Sequence, residues 1–115
     1  MSTEIDRRLR EIEELIFAEQ LRLMQKRQLL YTLRQRLSQI QPLITGFRLG
    51  YYELVGDRAM IEKMSDLLRE AESISRLINE IQSDIAKEEA RIYQLRAMYS
   101  IYAYRRIPTP RWRER

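Results

Sequence analysis

The chain has 115 residues, 33% charged and 44% hydrophobic, with a net charge of +4 and no cysteine or histidine. That length suits one domain, and no apolar run approaches the ~20 residues needed to cross a bilayer. Disulfides, thiol chemistry, cysteine–histidine metal sites and histidine acid–base chemistry are excluded together.

The N-terminal run "MSTEIDRRLREIEE" lacks the apolar core of a signal peptide, so the expected setting is intracellular, in the cytoplasm. The high charge, the missing cysteine and the single asparagine, Asn79, fit a hyperthermophile's composition, although eight glutamines fit it poorly. The charge is local. The tail "RRIPTPRWRER" holds five arginines against one glutamate, so residues 1–104 balance sixteen basic against sixteen acidic side chains.

From Ile5, apolar residues recur at steps of four and three: Ile5, Leu9, Ile12, Ile16, then Glu19, Leu23, Lys26, Leu30, Leu33, Leu37 and Ile40. This is a heptad seam, and it predicts a first helix over about 3–41. Ser2 or Thr3 can cap its start, and Pro42 is expected to end it.

The next stretch, "GFRLGYYELVGDRAMIEKM", changes character. "GYYELVG" reads as a strand, "RAMIEK" as a second, and Gly56-Asp57 as the turn between them. The expectation is a β-hairpin connector over about 46–63, with Tyr51, Tyr52, Leu54, Val55, Met60 and Ile61 as its apolar face. A lone hairpin leaves open edges, so that face is expected to join other subunits. A looser linker is the alternative.

A second seam runs Met64, Leu67, Ala71, Ile74, Ile78, Ile81, Ile85, Glu88, Ile92, Leu95, Tyr99 and Tyr102, with Ser65 and Asp66 as a possible cap. It predicts a second helix over about 65–104, and 105–115 as a basic Pro/Arg tail. Of the 23 positions in both seams 20 are apolar. Pairing positions whose numbers sum to 104 satisfies every heptad, which predicts a mainly α fold: a long antiparallel two-helix coiled-coil hairpin. Glu19, Lys26 and Glu88 are expected at its rim, with packed stems and solvated charges.

Long helix, "YYELVGDRAMIEKM" and long heptad helix together resemble the β-type subunit of archaeal prefoldin over about residues 5–100. Tyr52, Val55 and Gly56, followed by Met60 and Ile61, stand where that family carries its hairpin. The resemblance implies an ATP-independent holdase subunit in an oligomer, with an α-type subunit as a possible partner. Hairpins would form a shared β-barrel, and the coiled-coil tips would hold non-native proteins for a group II chaperonin. No cofactor is implied. The tip residues here would be Ile5, Leu9, Ile12, Ile16 and Phe17 beside Leu95, Met98, Tyr99, Ile101, Tyr102 and Tyr104. The run "YSIYAYRRIPTPRWRER" departs from the polar helical end usual in that family.

A structural nucleic-acid-binding protein is the other reading. Arg105, Arg106, Arg111, Arg113 and Arg115 could neutralise phosphates and Trp112 could stack on unpaired bases. An enzyme is not expected: there is no Gly-rich phosphate loop and no nucleophile–histidine pair. Nor is a membrane partner, because the basic tail has no amphipathic helix.

Overall fold

The structure, a computed structural model, describes residues 3–50 and 57–106, without the side chains of Leu49 and Arg106. The described residues form two α-helices: α1, Glu4–Leu49, of 46 residues, and α2, Arg58–Arg106, of 49. The chain divides into a terminal unit, residues 1–25 with 85–115, and a loop unit, residues 26–84. In each unit a stretch of α1 packs against a stretch of α2.

The expected seams are the packed faces. All 23 seam positions are buried or half-buried. Leu9, Ile12, Ile92 and Leu95 are buried in the terminal unit, and Leu30, Ile40, Ile74, Ile78 and Ile81 in the loop unit. Ile40 is fully enclosed, at 0% exposure. Burying one such side chain contributes about 1.5–3 kcal/mol, so the row of them is the main source of stability.

α1 starts as the sequence predicts. The Thr3 hydroxyl accepts the Asp6 amide at 3.1 Å, and the Asp6 carboxylate accepts the Thr3 amide at 3.4 Å. This reciprocal capping box satisfies two of the amides that open a helix.

α1 does not end at Pro42. It continues through Pro42 and Gly46 to Leu49. Proline inside a helix costs about 3 kcal/mol, because it removes one amide donor and crowds the preceding turn. Here Pro42 faces solvent and Ser38, whose carbonyl loses its partner, is exposed to water. Beyond the proline, Ile44 is buried and Phe47 half-buried, continuing the seam at steps of four and three. Packing two large side chains offsets one proline.

The second expected strand is also helix. "RAMIEK" forms the first turns of α2, so Met60 and Ile61 lie on a helix and not on a hairpin. Ala59, Met60, Glu62 and Lys63 are good helix formers, and Met60 and Met64 extend the seam. The cap is Asp57, whose carboxylate accepts the Met60 amide at 3.2 Å. Asp66 instead sits inside α2 and pairs with Arg69 at 3.1 Å. The expected β-hairpin connector over 46–63 is therefore not seen: residues 46–49 and 58–63 are helix, and residues 51–56 lie outside the described ones.

Cross-helix polar contacts add to each unit. In the loop unit Arg36 grips Glu70 with two bonds, Nε–Oε1 at 2.7 Å and Nη2–Oε2 at 3.2 Å. Their numbers sum to 106. Side chains of antiparallel helices each lean toward their own N-terminus, so tips meet at sums slightly above that of the backbones. That sum lies near the expected 104, whereas the cross-helix pair of the terminal unit, Glu13 and Tyr99, sums to 112. In the terminal unit the Tyr99 hydroxyl donates to Glu13 Oε1 at 2.9 Å.

Candidate functional site

The eleven expected tip residues separate into two groups in the terminal unit. Leu9, Ile12 and Leu95 are buried in the seam, and Ile5, Ile16, Tyr99 and Tyr102 are half-buried along it. These seven build the helix pair. Phe17, Met98, Ile101 and Tyr104 are exposed and are the residues that a partner can touch.

The reason is heptad position. Ile5, Leu9, Ile12, Ile16, Leu95, Tyr99 and Tyr102 occupy a or d, between the helices. Phe17 is at b, Met98 at g, Ile101 at c and Tyr104 at f, on flanking or outward faces. Ile16, Phe17 and Tyr99, with Glu13, Gln20, Arg96 and Ser100, line an open groove of about 520 Å³. Its apolar wall and its Glu13–Tyr99 hydrogen bond give it one greasy and one polar side.

Two exposed residues escaped the sequence reading. Tyr93, at 77% exposure the most solvent-facing large apolar residue among the described ones, shares the outward face of α2 with Tyr104. Met24 is exposed on α1, seven residues from Phe17. The signal was present as a step of seven at b positions, off the seam.

The polar seam positions differ from expectation in two respects. Glu19 is not solvated at the rim: its side chain is only 13% exposed and pairs with Arg22 at 2.9 Å. Lys26 and Glu88 are half-buried, and Glu88 Oε2 is shut off from solvent.

Of the expected assembly residues, Met60 is half-buried where it extends the seam and Ile61 is exposed on α2, while Tyr51, Tyr52, Leu54 and Val55 lie outside the described residues. In the loop unit an open groove of about 760 Å³ is lined by Leu37, Ile44, Leu68 and Ala71 with polar neighbours Arg48 and Arg76.

Of the possible nucleic-acid contacts, Arg105 lies over the Tyr102 ring at 5.6 Å from its centroid, a cation–π contact within the chain. The Arg106 side chain, Arg111, Trp112, Arg113 and Arg115 lie outside the described residues.

One pair of titrating groups is perturbed. The hydrogen bond from Arg36, and then its charge, hold the Glu70 carboxyl below the usual carboxylate range, and Glu70 raises Arg36 in return. Both are partly exposed and cross-link the helices; this is a structural pair and not an acid–base site.

Among the described residues no cluster of acidic side chains could hold a metal ion, and no helix is long and apolar enough to cross a membrane. No protein-family model, curated protein or solved structure matches the chain.

Proposed function

We propose that the chain is an ATP-independent holdase-type chaperone subunit that binds non-native proteins through the exposed apolar side chains of its terminal unit. One observation carries this reading: Tyr93, Met98, Ile101 and Tyr104 stand in solvent within twelve residues of α2, beside a seam already filled by other side chains. Leaving this surface wet serves no packing purpose. Tyr and Met give adaptable contact area, since Met has a flexible chain and Tyr joins an apolar ring to a hydroxyl. Several weak contacts of this kind suit an extended apolar segment better than one folded partner.

The resemblance to prefoldin adds delivery to a group II chaperonin, a possible α-type partner and a cytoplasmic setting to the proposal. The shared barrel is not part of it, because its second strand is helix.

The test is aggregation of a chemically denatured client, diluted with and without the protein. The triple variant M98S/I101S/Y104S changes only exposed positions, so helicity by circular dichroism should hold while protection falls by at least about half. Equal protection by the variant sinks the assignment. Deleting residues 105–115 separates the rival: holdase activity should survive, whereas a nucleic-acid-binding protein would lose salt-sensitive binding.

A further inference from the structure

The two edges of the terminal unit differ in charge. Glu13 and Gln20 of α1 and Arg96 of α2, all at heptad position e, line one groove, so the e rows share that edge and the g rows share the opposite one. The e rows hold Asp6, Glu13, Gln20, Glu89, Arg96 and Ala103, three acids against one arginine. The g rows hold Arg8, Leu15 and Arg22 on α1 and Arg91, Met98 and Arg105 on α2, with no acid on either helix. All six are exposed. On each helix, therefore, an apolar side chain stands one heptad from an arginine in both directions. In the loop unit the same rows are mixed, with Arg36 and Lys63 against Glu70 and Asp84.

The nearby acids leave much of this edge uncompensated. Glu4 and Glu11, at c on α1, bond Arg7 and Arg8. Glu19, in the seam, bonds Arg22, and Glu88, in the seam of α2, has one carboxylate oxygen shut off from solvent. Among the described residues Lys87, Arg91 and Arg105 have no ion-pair partner, although Arg105 rests on the Tyr102 ring. Three cations thus stand over about 27 Å of α2, on either side of exposed Met98 and Ile101.

We propose that this edge chooses among clients and prefers apolar segments flanked by acidic residues. The inference rests on the holdase reading and adds to it the class of segment held. Charge complementarity selects the occupant. An arginine lies about 10.5 Å along the axis from Met98 in each direction, a distance that an extended chain covers in about three residues. A client side chain on Met98 therefore brings carboxylates three or four positions away within reach of Arg91 and Arg105. Each exposed pair contributes little alone, so several together set a preference and not a tight complex. A phosphate backbone would meet the arginines but hold its charges against Leu15 and Met98. A lipid surface asks for a wider apolar face than these side chains offer.

Three dansyl-labelled peptides that share a Leu-Phe-Leu centre, flanked on both sides by glutamate, serine or lysine, test the preference. Fluorescence anisotropy with the full chain at low salt should show the glutamate peptide binding at least about fivefold more tightly than the serine peptide, and the lysine peptide weakest. High salt should narrow the gap. Arg91→Glu with Arg105→Glu should reverse the order. Arg34→Glu with Arg58→Glu makes the same change in net charge at exposed positions of the loop unit and should preserve it. Helicity by circular dichroism should hold in both double variants. Equal binding of the three peptides, an order that survives Arg91→Glu with Arg105→Glu, or one that both double variants reverse alike would overturn the preference, while protection of a denatured client would still stand. Binding of an oligonucleotide or of anionic lipid vesicles by a chain that binds no peptide and protects no client would sink the holdase reading as well.

Discussion

Along residues 58–84, seven of the twelve outward positions of α2 are charged, among them Glu62, Arg69, Glu72 and Arg76. Along residues 17–46, none of the fourteen outward positions of α1 is. The inward faces show no such contrast, since both are isoleucine and leucine at heptad spacing. α2 concentrates its apolar residues on one stripe, while α1 distributes them around its axis. The two helices are thus alike on the packed side and differ on the other. The comparison separates what holds a helix pair together from what the pair offers to its surroundings.

The sharpest separation comes from substitutions on the two kinds of face. Ile40→Ala, at the fully enclosed position, should destabilise the chain by about 2–5 kcal/mol in urea unfolding, whereas exposed Leu77→Ala should stay within about 0.5 kcal/mol. Similar values for both would mean that the inward face is not the core. Pro42→Ala should stabilise by about 1–3 kcal/mol, because an outward alanine restores the missing amide donor without disturbing the seam. No gain would show that the proline's effect on the unfolded chain balances its effect on the helix.

A smaller effect tests where α2 begins. Asp57→Ala removes the cap and should destabilise by about 1 kcal/mol, while Ser65→Ala, inside the helix, should be neutral or better. The reverse order would restore the later start. The smallest effect belongs to Arg36 and Glu70. Glu70 is held below its ordinary value when folded, so its contribution is present above the ordinary carboxylate range and disappears as acid protonates it. Wild type and Glu70→Gln should therefore differ slightly in Tm at neutral pH and converge at strongly acid pH. A gap that persists in acid would assign the effect to packing.

Both seams were legible because their spacing recurs for more than ten positions in each helix. The end of α1 and the start of α2 were not, because they depend on sums of opposing terms. Pro42, Gly46 and β-branched Ile61 each argue locally for a break. Ile44, Phe47 and Met60 extend the seam across those positions, and that gain exists only once the other helix is in place. The candidate tip was legible as a composition but not as a surface: Leu9 and Phe17 look equally apolar in the sequence, and only heptad position makes one core and the other exposed. Tyr93 and Met24 were missed because attention to the a and d rows hides a stripe that runs behind them.

The proline in α1 has one more consequence. With the Ser38 carbonyl relieved of its amide, the hydrogen-bond ladder is interrupted one turn before Thr45, whose hydroxyl bonds the Gln41 carbonyl at 3.0 Å. Residues 43–49 therefore rely on Ile44 and Phe47 for their anchorage, with less help from the helix behind them. Their amides should exchange with deuterium sooner than those of residues 28–38, giving the chain a built-in point of fraying at the end of its first rod.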